Sequence, residues 1–394
     1  MKNLVLEDLC ELVVDCKNRT PPEVAPGEEP AGYAIGTPHI INGRISLANA
    51  KKVSRNTFDT WTARAVPQEG DVVLTREAPV GRVGRVEEGM KICLGQRTML
   101  LRPDAQRTDS RYLHYLLLSS PIQDRLHSQG SGSTVAHLRV SQVRELRIPE
   151  VPTLGEQRRI GAVLGALDDK ITINKRIATA AEEITLAIAS SMRWDRRVRL
   201  GEICSLRKEQ CTPQELDVDV VDHYSLPAYD AEKTADHVSP ASIKSAKFII
   251  PEAAILLSKL NPEIPRVWNV EPDEKTLALA STEFLVLTPI LGVSTHQLWA
   301  VAAQHDFRST LASRVTGTSK SHQRVRPTEA LATEVVDPRQ LGEEGQQIDS
   351  LAEKTALVRK ENRTLAALRD NLLPQLVSGR LHVRDAEKIV EDHA

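Results

Sequence analysis

The chain has 394 residues, with 41% hydrophobic and 26% charged side chains, too many for one ordinary core and in the range of a globular protein of two or more domains. No run of about 18 apolar residues exists to span a membrane, and the acids Glu7 and Asp8 interrupt any leader-like stretch, so a cytoplasmic location is expected. The formal net charge of −2 lacks the basic excess of a free-standing polyanion binder, and the five cysteines (Cys10, Cys16, Cys93, Cys204, Cys211) show neither zinc spacing nor a Cys-x-x-Cys pair, so they read as reduced structural thiols.

In chain order, Leu6–Cys10 opens the first half, followed by the basic segment Lys17-Asn-Arg19-Thr and the polar, Pro-rich stretch Thr20–Pro30. Val72-Val-Leu-Thr75 reads as a strand, and Arg76, Arg82 and Arg85 surround the Pro-Gly turn that follows. Thr98–Pro103 is apolar; Arg111–Arg125 has the apolar spacing of a helix. Ser131–Arg139 is a small, polar, Gly-rich loop free of acids, and Glu156 to about Trp194 is a long proline-free helix.

The order then returns. Ser110–Val140 aligns without a gap on Thr295–Val325, an offset of 185 residues, with Gly132, His137, Arg139 and Val140 facing Gly317, His322, Arg324 and Val325. Upstream, Asp71–Arg76 resembles Ala254–Lys259, Arg82 answers Arg266, Arg85 answers Asn269, Thr98–Pro103 answers Phe284–Pro289, and Leu6–Cys10 answers Leu200–Cys204. Arg207-Lys208 is the second basic N-terminal segment; Leu154-Gly155-Glu156 returns as Leu341-Gly342-Glu343, each opening a long helix. Each half thus reads as an α+β globular unit followed by a helix, with Trp268 expected in the core.

Both helices carry a heptad stripe, which wants a partner helix. In the first it runs through Ile160, Leu164, Leu167, Ile171, Asn174, Ala178, Ala181, Ile188 and Met192, widened by Ile177 and Ile184. In the second, Gly345 to Leu373, it runs through Leu351, Val358 and Leu365 to Leu372, and Pro374 ends or kinks the helix. The two can pack as an antiparallel pair; a rod of this length, roughly 55 Å at 1.5 Å per residue, matches sites about one turn of double helix apart. Asn174 and Asn362 hold equivalent places in the repeat, either paired on the seam, where they would set register, or facing solvent.

Ile148-Pro-Glu-Val-Pro-Thr-Leu-Gly-Glu-Gln157-Arg158-Arg159-Ile160, with Leu167-Asp-Asp-Lys-Ile171 and Asn174-Lys-Arg-Ile177, resembles the central conserved region of the specificity subunits of type I restriction–modification systems. Leu368-Arg-Asp-Asn-Leu-Leu-Pro374-Gln-Leu-Val-Ser-Gly379-Arg-Leu is similar to their distal conserved region; the end Ala189-Ser-Ser-Met-Arg-Trp194 has fewer aromatics than is usual there. The resemblance implies two target-recognition domains that read the halves of a bipartite double-stranded DNA site. It also implies DNA methyltransferase (modification) subunits, two of them, docked on the helices, and restriction/translocase subunits recruited by the complex. The expected fold is α+β, with target-recognition domain 1 at residues 1–152, the central helix at 153–196, target-recognition domain 2 at 197–340, the distal helix at 341–381 and a C-terminal tail at 382–394, the helices pairing as an antiparallel coiled coil.

Base reading needs forked donors or amides on loops or helix tips. The candidates are Arg76, Arg82, Ser133, Thr134, His137 and Arg139 in the first half, and Lys259, Arg266, Lys320, His322 and Arg324 in the second, where Arg326 extends the same loop. Isolated basic residues also serve as solvated surface, and His137 and His322 also suit turn-stabilising hydrogen bonds. The alternative function is a duplicated helical scaffold that never touches bases.

Enzymatic motifs are missing. Asn261-Pro262-Glu263-Ile264 departs at two positions from the Asn/Asp-Pro-Pro-aromatic signature of amino-methylating enzymes, and Gly130-Ser-Gly132 is too short for a cofactor fingerprint. There is no phosphate-cradling Gly-x4-Gly-Lys-Ser/Thr, and Pro272-Asp-Glu-Lys275 reads as a surface turn. No catalytic residue, cofactor, metal or membrane partner is expected.

Overall fold

A computed structural model describes residues 4–129, 136–191, 196–290, 292–315 and 323–392. Its contacts divide the chain into two units, residues 1–171 with 364–394, and residues 172–363. The borders fall inside the long helices, Leu154–Ser191 and Glu343–Val377, so each unit holds one globular fold and a segment of both helices.

In the first unit one sheet has the order Cys10–Asp15, Thr98–Pro103, Val72–Thr75, Val83–Arg85, Arg44–Ile45, Ile40–Ile41. Val72–Thr75 lies inside this order and is buried at all four positions, which explains why its sequence is continuously apolar or β-branched rather than alternating. A second sheet places Gly32–Ile35 between antiparallel Lys51–Val53 and parallel Ile92–Leu94. Thr20–Pro30 forms neither helix nor strand, and Val24 donates its backbone N–H to Lys52 at 2.8 Å.

The second unit repeats this plan. Cys204–Arg207, Phe284–Pro289, Ala254–Ser258 and Val267–Val270 stand in the order of the first four strands above, all antiparallel. Val221–Tyr224 lies between antiparallel Asp236–Val238 and parallel Leu277–Ser281, as Gly32–Ile35 does between its neighbours. Here the second sheet is extended by Lys247–Ile249 and Gln210–Cys211. The helices that follow also start alike: Asp109 accepts from the Tyr112 N–H at 3.0 Å, and Ser294 accepts from the Gln297 N–H at 3.1 Å, each an N-cap that satisfies an otherwise orphaned donor.

The helix read as continuous over Arg111–Arg125 is two. Ser110–Leu118 is followed by Ser120–Gln129, broken ahead of Pro121, whose ring cannot extend the preceding turn. Thr295–Ala302 and His305–Ser313 form the corresponding pair. Pro374, in contrast, lies within its helix, which runs on to Val377. The expected tail is also structured: Val383–Glu391 is a helix whose Val383 and Ala386 are buried in the first unit's main core.

That core takes in Ile160, Leu164, Leu167 and Ile171 from the first long helix and Leu365 and Leu372 from the second. In the second unit Val358 is buried and Leu351 partly so. Asn174 is 1% exposed and its Nδ2 donates to Oδ1 of Asn362 at 3.0 Å and to Glu361 at 2.7 Å. Further along, Glu182 pairs with Arg359, so residue numbers rise on one helix as they fall on the other and the pair is antiparallel. Ala178, Ala181 and Thr185 are the buried positions here, whereas Ile173, Ile177 and Ile184 are exposed, so the latter two do not widen the seam. Trp268 is core, 3% exposed.

Candidate nucleic-acid interface

The basic loop of each half hooks onto the end of a central strand. In the first unit Leu138 donates its N–H to the Arg76 carbonyl at 3.0 Å, and Arg76 donates to the Arg97 carbonyl at 2.8 Å. In the second, Val325 donates to Lys259 at 3.0 Å and Lys259 to Glu283 at 2.8 Å. Leu138 and Val325 are both buried and anchor their loops.

These contacts equate residue 138 with 325, an offset of 187, whereas the preceding helices keep the 185 of the ungapped alignment. The register expected for the loop is therefore shifted by two: His137 corresponds to Arg324, and Arg139 to Arg326. The buried anchor fixes the register, and the difference of two arises between the helix starts, Ser120 and His305, and the anchors, Leu138 and Val325. Ser133, Thr134, Lys320 and His322 lie outside the described residues.

A carboxylate meets a loop side chain in each unit, His137 in the first and Arg324 in the second. Glu77 contacts His137 Nδ1 at 2.6 Å and Arg97 at 3.5 Å. Glu283 takes two bonds from the Arg324 guanidinium, at 2.8 and 3.0 Å, and these hold its carboxyl below the ordinary range against the opposing effect of burial. Burial lowers the Lys259 ammonium, and Glu283 counters it.

Other candidates have internal work. Arg76 is buried, donates to the Leu138 carbonyl at 3.0 Å and pairs with Asp15 at 2.9 Å. Arg82 donates to the carbonyls of Thr37 and Ile40 at 3.2 and 3.3 Å, Arg85 pairs with Glu87, and Arg266 forms a two-pronged pair with Asp230 at 2.6 Å. Arg139 and Arg326 are exposed, each directly before a short helix, Val140–Arg144 and Pro327–Ala332.

The joint between globular fold and helices is built differently in the two units. In the first, Asp168 accepts from the Tyr115 hydroxyl at 2.6 Å and Arg369 at 2.7 Å, with Arg44 at 3.6 Å. Burial works against this carboxylate's charge, and Arg369, Tyr115 and Arg44 together still bring its pKa down. Gly161 and Gly165 permit the close approach: a Cβ on Gly165 would meet Arg111 Nη1 at 2.0 Å, and one on Gly161 would meet Asp109 at 2.8 Å. In the second unit Glu182 likewise ties Lys233 to Arg359, each at 2.6 Å. Beside it lies a cavity of about 400 Å³, walled by Trp268, Trp299 and Ala356.

Residues 1–183 match the family model described as the type I restriction modification DNA specificity domain. The match covers the first 183 of the 394 residues, and likens that part of the chain to type I restriction–modification specificity domains. The chain is 28% identical over 138 residues to the type I restriction enzyme MjaIX specificity subunit of Methanocaldococcus jannaschii, and 27% identical over 111 residues to the putative MjaX specificity subunit of that organism. Those alignments cover 35% and 28% of the chain and only 31% and 25% of the relatives, under a third of their length. The fold is shared more widely: the crystal structure of a type I restriction–modification S subunit from M. genitalium superposes over 95% of both chains with a TM-score of 0.51 at 16% identity.

Sequence reading missed Glu77, Arg97 and Glu283 because they lie outside the repeated loop. It also missed the glycines at the joint, for which two glycines four residues apart inside a helix were the available signal.

Proposed function

We propose that this chain is the DNA-reading subunit of a type I restriction–modification enzyme, each globular fold reading one half of a split double-stranded site. The observation that supports this most is the duplication: one strand order, one capped helix and one anchored basic loop, present twice in a chain whose residues 1–183 match the specificity-domain model. Two methyltransferase subunits dock on the helices, and the assembly recruits restriction/translocase subunits. Ile173, Ile177 and Ile184 favour such docking, because they are exposed and fall within about 40° of one helix face at 100° per residue.

The chain itself is non-catalytic in this reading, and chemistry belongs to the partners. Among the described residues no group of three His, Cys, Asp or Glu could hold a metal, and no helix is long and apolar enough to cross a membrane.

Mapping methylated positions in host DNA with and without the gene tests the proposal. A split motif that disappears with the gene, and changes in one half when one globular fold is exchanged, is the expected result; methylation indifferent to the gene overturns it. Arg139→Ala with Arg326→Ala separates this reading from a scaffold that joins proteins without touching bases. DNA reading requires weaker site binding with methyltransferase docking intact, whereas a scaffold leaves DNA affinity unchanged.

A further inference from the structure

We propose that Glu77 and Glu283 are specificity-determining residues that hold the loop side chains of His137 and Arg324 back from DNA of the wrong sequence; this rests on the DNA-reading function above. The two units share a frame. Arg97 and Glu283 occupy the same backbone position, each accepting from the residue that directly follows the central strand. Yet the charges there are opposite. In the first unit the acid comes instead from Glu77, whose counterpart is Leu260: isolated bridges link Glu77 to His137 and Leu260 to Arg324. The two folds therefore place a carboxylate against the same loop position from different backbone sites.

Geometry gives that contact its consequence. The two bonds from Arg324 to Glu283 use the fork of donors that would otherwise meet a guanine edge or a phosphate. His137 and Arg324 have side chains 42% and 47% exposed, so both pairs sit where solvent and ligand reach them and cost little to open. Each acid also has another basic side chain at hand, Arg97 beside Glu77 and Lys259 beside Glu283, which can take over its charge once the loop side chain leaves. A duplex with matching base edges draws the loop side chain across; one that offers it only phosphates leaves it on its carboxylate.

Glu77→Gln and Glu283→Gln, made in the full chain and assayed with its methyltransferase subunits, test this. The probes are the duplex carrying the mapped methylation site and a scrambled duplex of equal length, and Glu387→Gln on the C-terminal helix removes one exposed acid as a charge control. Each variant should bind the scrambled duplex at least about threefold more tightly, gain less on the mapped site, and steepen the scrambled-duplex salt dependence by about one counterion, while Glu387→Gln does none of these. Unchanged discrimination and salt slope in both variants, or the same change in the control, overturn the proposal. A wild-type complex that fails to prefer its mapped site overturns the DNA-reading function instead.

Discussion

Asn174 donates its side-chain amide to the Asn362 carbonyl oxygen across the two long helices, at 3.0 Å, and is itself 1% exposed. A polar pair at this position adds less stability than leucines would, but a shifted register would leave buried amides unpaired. Asn174→Leu should cost about 1–3 kcal/mol, because Asn362 and Glu361 lose a buried partner. Asn174→Leu with Asn362→Leu should recover most of that loss in urea unfolding. A double variant as unstable as the single one would show that the pair does more than satisfy itself.

Asp168 is the corresponding control point of the first unit. Asp168→Asn removes the carboxylate charge that Arg369 and Arg44 share, while Arg369 keeps Asp370, and the expected loss is about 2–3 kcal/mol, reduced from the fully buried case because the pair keeps some exposure. Tyr115→Phe removes one hydrogen bond to a charged acceptor, so a loss of about 1.5–3 kcal/mol is expected. Denaturant midpoints measure both. Equal stability in Asp168→Asn and wild type would remove this joint from the account.

His114 gives the same unit a pH dependence. Burial pushes its imidazole down to about 4 from an ordinary 6.5, with the nearby Asp168 charge opposing. Between those values the unfolded chain binds a proton that the folded chain refuses. This contribution to stability is therefore complete above about pH 6.5 and is lost as pH falls toward 4, a change of order 3 kcal/mol. His114→Leu should flatten that part of the unfolding profile, checked by urea melts from pH 7 to pH 4. An unaltered slope would assign the acid lability to the carboxylates alone.

The duplication and the helix pairing were legible because both are carried by apolar residues at fixed spacing, such as Leu164 and Leu365, and burial enforces that spacing directly. The loop register was not. An ungapped alignment matched His137 to His322, while the buried anchors Leu138 and Val325 set the true correspondence, and an anchor of one residue leaves almost no pattern to find. Charge partners were illegible for a related reason: Glu77 and Glu283 reach equivalent places from backbone positions that do not align, so only the folded arrangement brings them to the same contact.

Arg76, Arg82 and Arg266 carry the charge a DNA-reading residue needs, but their guanidiniums serve the fold. Arg76 joins a strand end to the loop anchor, Arg82 ties two carbonyls of the Thr37–Ile40 segment, and Arg266 grips Asp230. Alanine at Arg76 should cost the most, about 2–3 kcal/mol, because a buried Asp15 contact and a carbonyl both lose their donor. Arg82→Ala should cost about 1 kcal/mol, as expected of an exposed donor, and Arg266→Ala about as much, because its partner Asp230 is 46% exposed. Stability should fall in all three while the methylated sequence stays the same. Arg139→Ala and Arg326→Ala should do the reverse, weakening site binding with unfolding unchanged. A change in recognised bases on replacing Arg82 would mean that its carbonyl contacts are surrendered when DNA binds.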